Sequence, residues 1–189
     1  MDEPKVNLYD AIANSYANDP NALSKDGFIY DKELSNHNEQ VYYNPEKKKM
    51  IFTVAGTHNL SDVGTDVYLG LGGIKNTNRY KEADDKFNKA KDKYKPEKTV
   101  LAGHSLGGQI VSKIGKENDK IYTYNKGSTV GEKEMKNETS YRTAGDAVSL
   151  FNSRNKNTKT IGNTLYNRLF GSALKSHDTR NLKNENIFI

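Results

Sequence analysis

Residues 98–110, Lys98-Thr-Val-Leu-Ala-Gly-His-Ser-Leu-Gly-Gly-Gln-Ile110, decide the reading of this chain. A β-prone run of Thr99, Val100 and Leu101 enters a G-x-S-x-G pentapeptide, Gly103 to Gly107, and an apolar-patterned helix with Ile110, Val111 and Ile114 on one side leaves it. Strand, tight turn and helix together are the context of a nucleophile elbow. Such a turn forces Ser105 into a strained backbone conformation and lifts its hydroxyl out of the sheet. Gly103 and Gly107 have no side chains, so strand and helix can cross close to the serine. The helix starts just after Ser105, so its free N–H groups and positive end face that residue.

The flanks supply the frame. Val6, Leu8, Tyr9, Ile12, Ala13, Tyr16 and Ala17 recur at helical spacing over 6–18, and Asp19-Pro20-Asn21 ends that helix. Phe28 to Leu34, Gln40 to Tyr43 and Met50 to Ala55 read as strands, with Asn44-Pro45-Glu46-Lys47 as the turn between the last two. A long helix carries Tyr80, Ala83, Phe87, Ala90 and Tyr94 on one stripe and charges on the other, with Pro96 beyond its end. After the elbow, strands are expected at Ile121–Tyr124, near Ser140–Thr143 and at Thr158–Ile161, and a last helix over 164–175. Strands that alternate with helices follow a front end that reads as hairpins. The expected fold is an α/β three-layer sandwich of the α/β-hydrolase type. Its central sheet is mixed and mostly parallel, with an antiparallel N-terminal portion. No repeat or linker divides the chain, so residues 1–189 read as one domain.

Composition narrows the partners. The net charge of +5 is carried by 24 Lys against 5 Arg, scattered as on a solvated surface, which speaks against nucleic acid. A mildly basic surface favours anionic substrates or peripheral contact with an anionic membrane, by about 1 kcal/mol per well-placed Lys. Cysteine is absent, so no disulfide, thiol nucleophile or thiolate metal site is possible. The first residues have no apolar signal core, and no apolar run reaches the roughly 18 residues of a membrane span.

An activated serine needs a base and a carboxylate that orients it. In the order serine, acid, histidine, only His177 of His37, His58, His104 and His177 follows Ser105 by more than one residue. Asp146, in Tyr141-Arg-Thr-Ala-Gly-Asp146, lies just past a strand that would run parallel to the elbow strand, which delivers it to the serine's edge of the sheet. Asp119 falls in a turn at the opposite edge, and Asp178 is a weaker alternative beside the histidine. His104 reads as packed beneath the elbow, and His58 as lining the mouth of the site. The reaction creates an oxyanion that needs donors. One is the N–H of Leu106, and the second comes from Gly56-Thr57, at the end of the β run Ile51-Phe-Thr-Val-Ala-Gly-Thr57.

In this order these pieces resemble the class 3 (fungal-type) lipases of the α/β-hydrolase superfamily, over about residues 40–182. Phe52-Thr-Val-Ala-Gly-Thr57, Gly103-His-Ser-Leu-Gly-Gly108, Tyr141-Arg-Thr-Ala-Gly-Asp146 and Ser176-His177 carry the resemblance. It implies Ser105 as nucleophile, Asp146 as acid, His177 as base, and Thr57 and Leu106 as oxyanion donors. It further implies Asp66, with Asp62 as second choice, as the acid that bonds the Thr57 hydroxyl. The activity it implies is carboxylic ester hydrolysis through an acyl-enzyme, on triacylglycerol, phospholipid or other esters, with no metal or cofactor. A thioesterase, a peptidase or a non-catalytic binding protein on the same fold are the alternatives. The chain departs from the family where Val54-Ala55 replaces the usual aromatic and Arg before Gly-Thr, and in having no Trp. Val67–Ile74 and Leu165–Leu174 are candidate lid or acyl-binding segments, with core packing as the plain alternative. A mean hydropathy of −0.89 leaves little apolar surface for a strongly interfacial enzyme.

Overall fold

Two strands set the architecture because neither has a solvent side. Lys49–Val54 (β3) is buried at every position, and Lys98–His104 (β4) at every position after the first. Backbone buried on both faces must be paired on both edges and covered above and below, which a central parallel strand achieves. The computed structural model describes residues 6–58, 73–127, 132–146, 149, 156–162, 177–183 and 185–189. Within them a seven-stranded sheet runs Ile29–Tyr30 (β1), Glu39–Asn44 (β2), β3, β4, Lys120–Tyr124 (β5), Glu138–Thr143 (β6) and Thr158–Ile161 (β7), each strand beside its sequence neighbour. The first three pair antiparallel, and β3 through β7 pair parallel. This is the mixed, mostly parallel sheet expected from sequence.

Helices cover both faces. In β3, Met50, Phe52 and Val54 pack with Ala83, Phe87 and Ala90 of Asn78–Tyr94 (α2) and with Ile110, Val111 and Ile114 of Leu106–Ile114 (α3). The alternate residue Ile51 joins Val100, Ala102 and Tyr124 against Leu8, Ala11 and Ile12 of Leu8–Ala17 (α1), with Leu182 and Ile189 from the far end of the chain. The period of two in the strands thus divides the apolar residues into two cores. Local chemistry starts the helices. Asn7 Oδ1 accepts from the Tyr9 N–H at 2.8 Å to open α1, and Thr77 Oγ1 accepts from the Tyr80 N–H at 3.2 Å to open α2.

The expected strand over Phe28–Leu34 shortens to Ile29–Tyr30. Asp31 ends it: its Oδ1 accepts from the N–H groups of Glu33, at 3.0 Å, and Leu34, at 3.1 Å, and turns the chain out of the ladder. The expected helix over 164–175, the segment Leu165–Leu174 and most of Val67–Ile74 lie outside the described residues. Ile74 itself is buried in the α2 and α3 core. Among the described residues no helix is long and apolar enough to cross a membrane.

Candidate active site

The parallel strands β3, β4 and β6 end at the same edge. β4 stops at His104 and α3 starts at Leu106, so Ser105 alone makes the turn, with φ 54° and ψ −122°. That conformation costs a non-glycine residue on the order of 1–3 kcal/mol and persists only where the surroundings hold it. They do hold it: the Ser105 N–H donates to the Tyr124 carbonyl at 3.0 Å, and the Ser105 carbonyl accepts from the Gln109 N–H at 3.2 Å. Strand and helix also cross as closely as the glycines suggested. A Cβ on Gly107 would sit 2.1 Å from the Val54 carbonyl oxygen, and one on Gly103 would sit 2.5 Å from that of Gly107.

Asp146 follows β6, and the His177 ring reaches it from the C-terminal stretch. His177 Nδ1 lies 2.8 Å from Asp146 Oδ1, with both side chains buried. The other carboxylate oxygen accepts from the Ser149 N–H at 2.8 Å and from the Ser149 hydroxyl. Burial alone would raise the Asp146 pKa. The hydrogen bond and charge of His177 and the two Ser149 donors outweigh it and hold the carboxyl below its usual range. Ser105 Oγ and His177 Nε2 are buried and have no hydrogen-bond partner among the described residues. Both residues line one cavity of about 150 Å³, together with Tyr16, Thr57, His58, His104, Asp178 and Thr179.

The alternative acids are paired with other groups. Asp119, at the opposite edge, pairs with Lys91 at 2.8 Å and accepts from the Lys116 N–H. Asp178 is paired with Arg180 at 2.6 Å. His58 lies in the cavity wall, with its Nε2 3.1 Å from the His37 carbonyl oxygen.

The loop after β3 is anchored atom by atom. The Ala55 N–H donates to the Asn38 carbonyl at 2.8 Å, the Ala55 carbonyl accepts from Arg79 Nη2 at 2.8 Å, and the Gly56 N–H donates to the Tyr16 hydroxyl oxygen at 2.8 Å. Thr57 follows in the cavity wall. Leu106 directly follows Ser105, in the first turn of α3, where N–H groups have no acceptor within the helix. Asp66 and Asp62 lie outside the described residues.

Tyr16, Arg79 and Arg142 escaped the sequence reading. Tyr16 looks like one more apolar residue of α1. The arginines did leave a signal: in a chain with 24 Lys and 5 Arg, each Arg is a choice. Arg79 holds the Ala55 carbonyl, and buried Arg142 reaches the Asp146 carbonyl at 3.2 Å.

No protein-family model matches the chain, and no curated protein sequence does. Solved structures do: the fold is that of the class 3, fungal-type lipases. The Lip2 lipase of Yarrowia lipolytica superposes with a TM-score of 0.55 at 14% identity, over 82% of this chain and 77% of that one. The Rhizomucor miehei lipase, in its propeptide complex, gives 0.50 at 14% identity, over 76% of this chain and 61% of that one. The chain therefore spans less than two thirds of the Rhizomucor enzyme's length, and at these identities the likeness is one of fold.

Proposed function

We propose that this chain is a serine ester hydrolase, with Ser105 as nucleophile, His177 as general base and Asp146 as the acid that orients it. One observation carries the reading: Ser105 and His177 line the same cavity, Ser105 Oγ and His177 Nε2 are both buried without a partner among the described residues, and His177 Nδ1 is held on Asp146. The Asp146 carboxyl is held below its usual range, so at neutral pH it is charged and only accepts. In the neutral imidazole, Nδ1 then carries the proton shared with Asp146 and Nε2 is left bare, as a base for serine requires.

The proposed cycle follows. Ser105 Oγ attacks the ester carbonyl while His177 Nε2 takes its proton, and Asp146 stabilises the imidazolium. The N–H groups of Leu106 and Thr57 receive the oxyanion, each such donor being typically worth roughly 3–4 kcal/mol of barrier. His177 returns the proton to the leaving alcohol, and water repeats the sequence on the acyl-enzyme. The cycle needs no metal or cofactor. That the structures sharing this fold are lipases supports lipid esters as the substrate class, and the +5 charge favours anionic ones such as phospholipids, met at a membrane surface.

The test is hydrolysis of p-nitrophenyl esters, acetate through palmitate, by the wild type and by Ser105→Ala. The expected loss in kcat is roughly 10⁴-fold or more, and the chain-length optimum separates esterase from lipase. Equal rates in the two proteins would rule out Ser105 as nucleophile.

A further inference from the structure

Beneath the elbow runs a series of three hydrogen bonds that the proposed cycle does not use. The Gly56 N–H donates to the Tyr16 hydroxyl oxygen at 2.8 Å, that hydroxyl lies 2.6 Å from His104 Nδ1, and His104 Nε2 lies 2.8 Å from the His177 carbonyl oxygen. The protons can be assigned from what faces each atom. A carbonyl only accepts, so His104 Nε2 carries a proton. His104 is buried, and burial first, then the neighbouring His177, brings its pKa down to about 3. The His177 carbonyl and the charges of Asp146 and Asp178 oppose that shift without reversing it. The ring is therefore neutral at pH 7 and has no second proton, so Nδ1 is bare and accepts from the Tyr16 O–H.

We propose that Tyr16 is a positioning residue: the one-way chain from Gly56 N–H through the Tyr16 hydroxyl and the His104 ring to the His177 carbonyl fixes the oxyanion turn and the general base relative to the nucleophile between them. The chain ties four separate pieces of structure: the last turn of α1, the end of β3, the end of β4 and the segment bearing His177. Tyr16 lines the cavity with Ser105, yet its proton is committed to His104, so it is not an oxyanion donor. Phenylalanine would fill the same space and leave the Gly56 N–H and His104 Nδ1 without partners. This inference rests on the serine hydrolase reading.

The experiment uses diethyl p-nitrophenyl phosphate. Ser105 Oγ bonds to phosphorus, p-nitrophenolate leaves, and the serine proton passes to His177. In Tyr16→Phe the rate of release is expected to fall on the order of 10- to 100-fold, the range that a misplacement of about 1 Å produces. The endpoint should stay at one p-nitrophenolate per chain, as expected of folded protein. Tyr94→Phe, which removes a hydroxyl bonded to Asp31, serves as the control and should keep the wild-type rate. A second readout needs no turnover: nitrogen-15 histidine spectra of the wild type should show His104 protonated at Nε2 and bare at Nδ1 from pH 7 down to about pH 4, with the signal assigned by its loss in His104→Gln. A Tyr16→Phe rate equal to the wild type's overturns the inference, as does a His104 ring protonated at Nδ1. A wild type that releases no p-nitrophenolate removes the hydrolase reading and the positioning role with it, whereas normal release with an unaffected variant removes the positioning role alone. Should Tyr16→Phe not fold, the wild-type ring tautomer decides.

Discussion

Ser105 and His104 are adjacent in the chain and are asked for opposite things. Ser105 carries backbone strain to present its hydroxyl in a cavity, and His104 is buried beneath it with both ring nitrogens bonded. A neutral buried imidazole makes stability pH-dependent. The folded pKa of His104, about 3, lies below the 6.5 of an unperturbed histidine, so in that window the unfolded chain binds the extra proton. The contribution is therefore complete above pH 6.5 and is lost as pH falls toward 3, at up to about 1.4 kcal/mol per pH unit. Urea unfolding of wild type and His104→Gln at pH 7 and pH 5 should show a steeper loss in the wild type; parallel losses would mean that the ring is not held neutral. Asp146 acts lower on the scale. Its folded pKa is depressed, so its contribution holds above the unfolded value near 4 and disappears as pH falls through the folded one. Ser105 was legible because its motif is local. Tyr16 was not, because nothing in Asn14-Ser-Tyr-Ala17 marks that hydroxyl until the ends of β3 and β4 are brought to it.

At the scale of elements, the helices do more than cover the sheet. α2 shows the apolar stripe read from sequence, and Ala83, Phe87 and Ala90 are buried. Its first turn also sends Arg79 across to the Ala55 carbonyl, with Nε 3.7 Å from Glu39 Oε1, and buried Glu39 is paired again with Lys86 at 3.1 Å. The class 3 pattern carries an Arg beside its oxyanion Gly-Thr, and here Val54-Ala55 stands in that place. The guanidinium that reaches the Ala55 carbonyl is that of Arg79 in α2. Arg79→Lys keeps the charge but loses the planar fork that meets carbonyl and carboxylate together. On the proposed function, it should lower ester hydrolysis by about tenfold through a loosened turn after β3, on the scale of one misplaced group, with little change in unfolding temperature. An undiminished kcat would show that Ala55 is held well enough without it. β1 shows the reverse case: the β-prone run 28–34 was visible, but the Asp31 side chain outcompeted the ladder for the backbone of Glu33 and Leu34.

At the scale of the whole molecule, the described residues are held by two apolar cores and, behind the site, by a buried ionic group. Lys126 Nζ lies 2.5 Å from Glu138 Oε1, with both side chains inaccessible to solvent. The Ser112 hydroxyl of α3 donates to Glu138 Oε2 at 2.8 Å. The group thus joins α3, the segment after β5 and β6, the elements that bring the elbow and Asp146 to one edge. Breaking such a pair strands a buried charge, whereas replacing both partners does not. Lys126→Met should therefore cost about 3–5 kcal/mol in urea unfolding, and Lys126→Met with Glu138→Leu should recover much of that loss. A double variant as unstable as the single one would mean that the pair itself, and not the stranded charge, supports the fold.

Some of this protein was determined by sequence alone, because the physics involved acts over a few residues. The elbow turn, the apolar stripe of α2, and the β-prone runs at the centre of the sheet each depend on neighbours close in the chain. Chain order then left a single histidine and favoured one aspartate. Tertiary structure alone decided what hydrogen bonds across the sheet edge decide. It set which acid meets His177, which hydroxyl satisfies Gly56 and His104, and which guanidinium holds Ala55. Those partners are separated by 31, 40, 88 and 24 positions. A buried polar atom takes whichever complementary atom the packing brings within about 3 Å, and spacing along the chain carries no record of that choice.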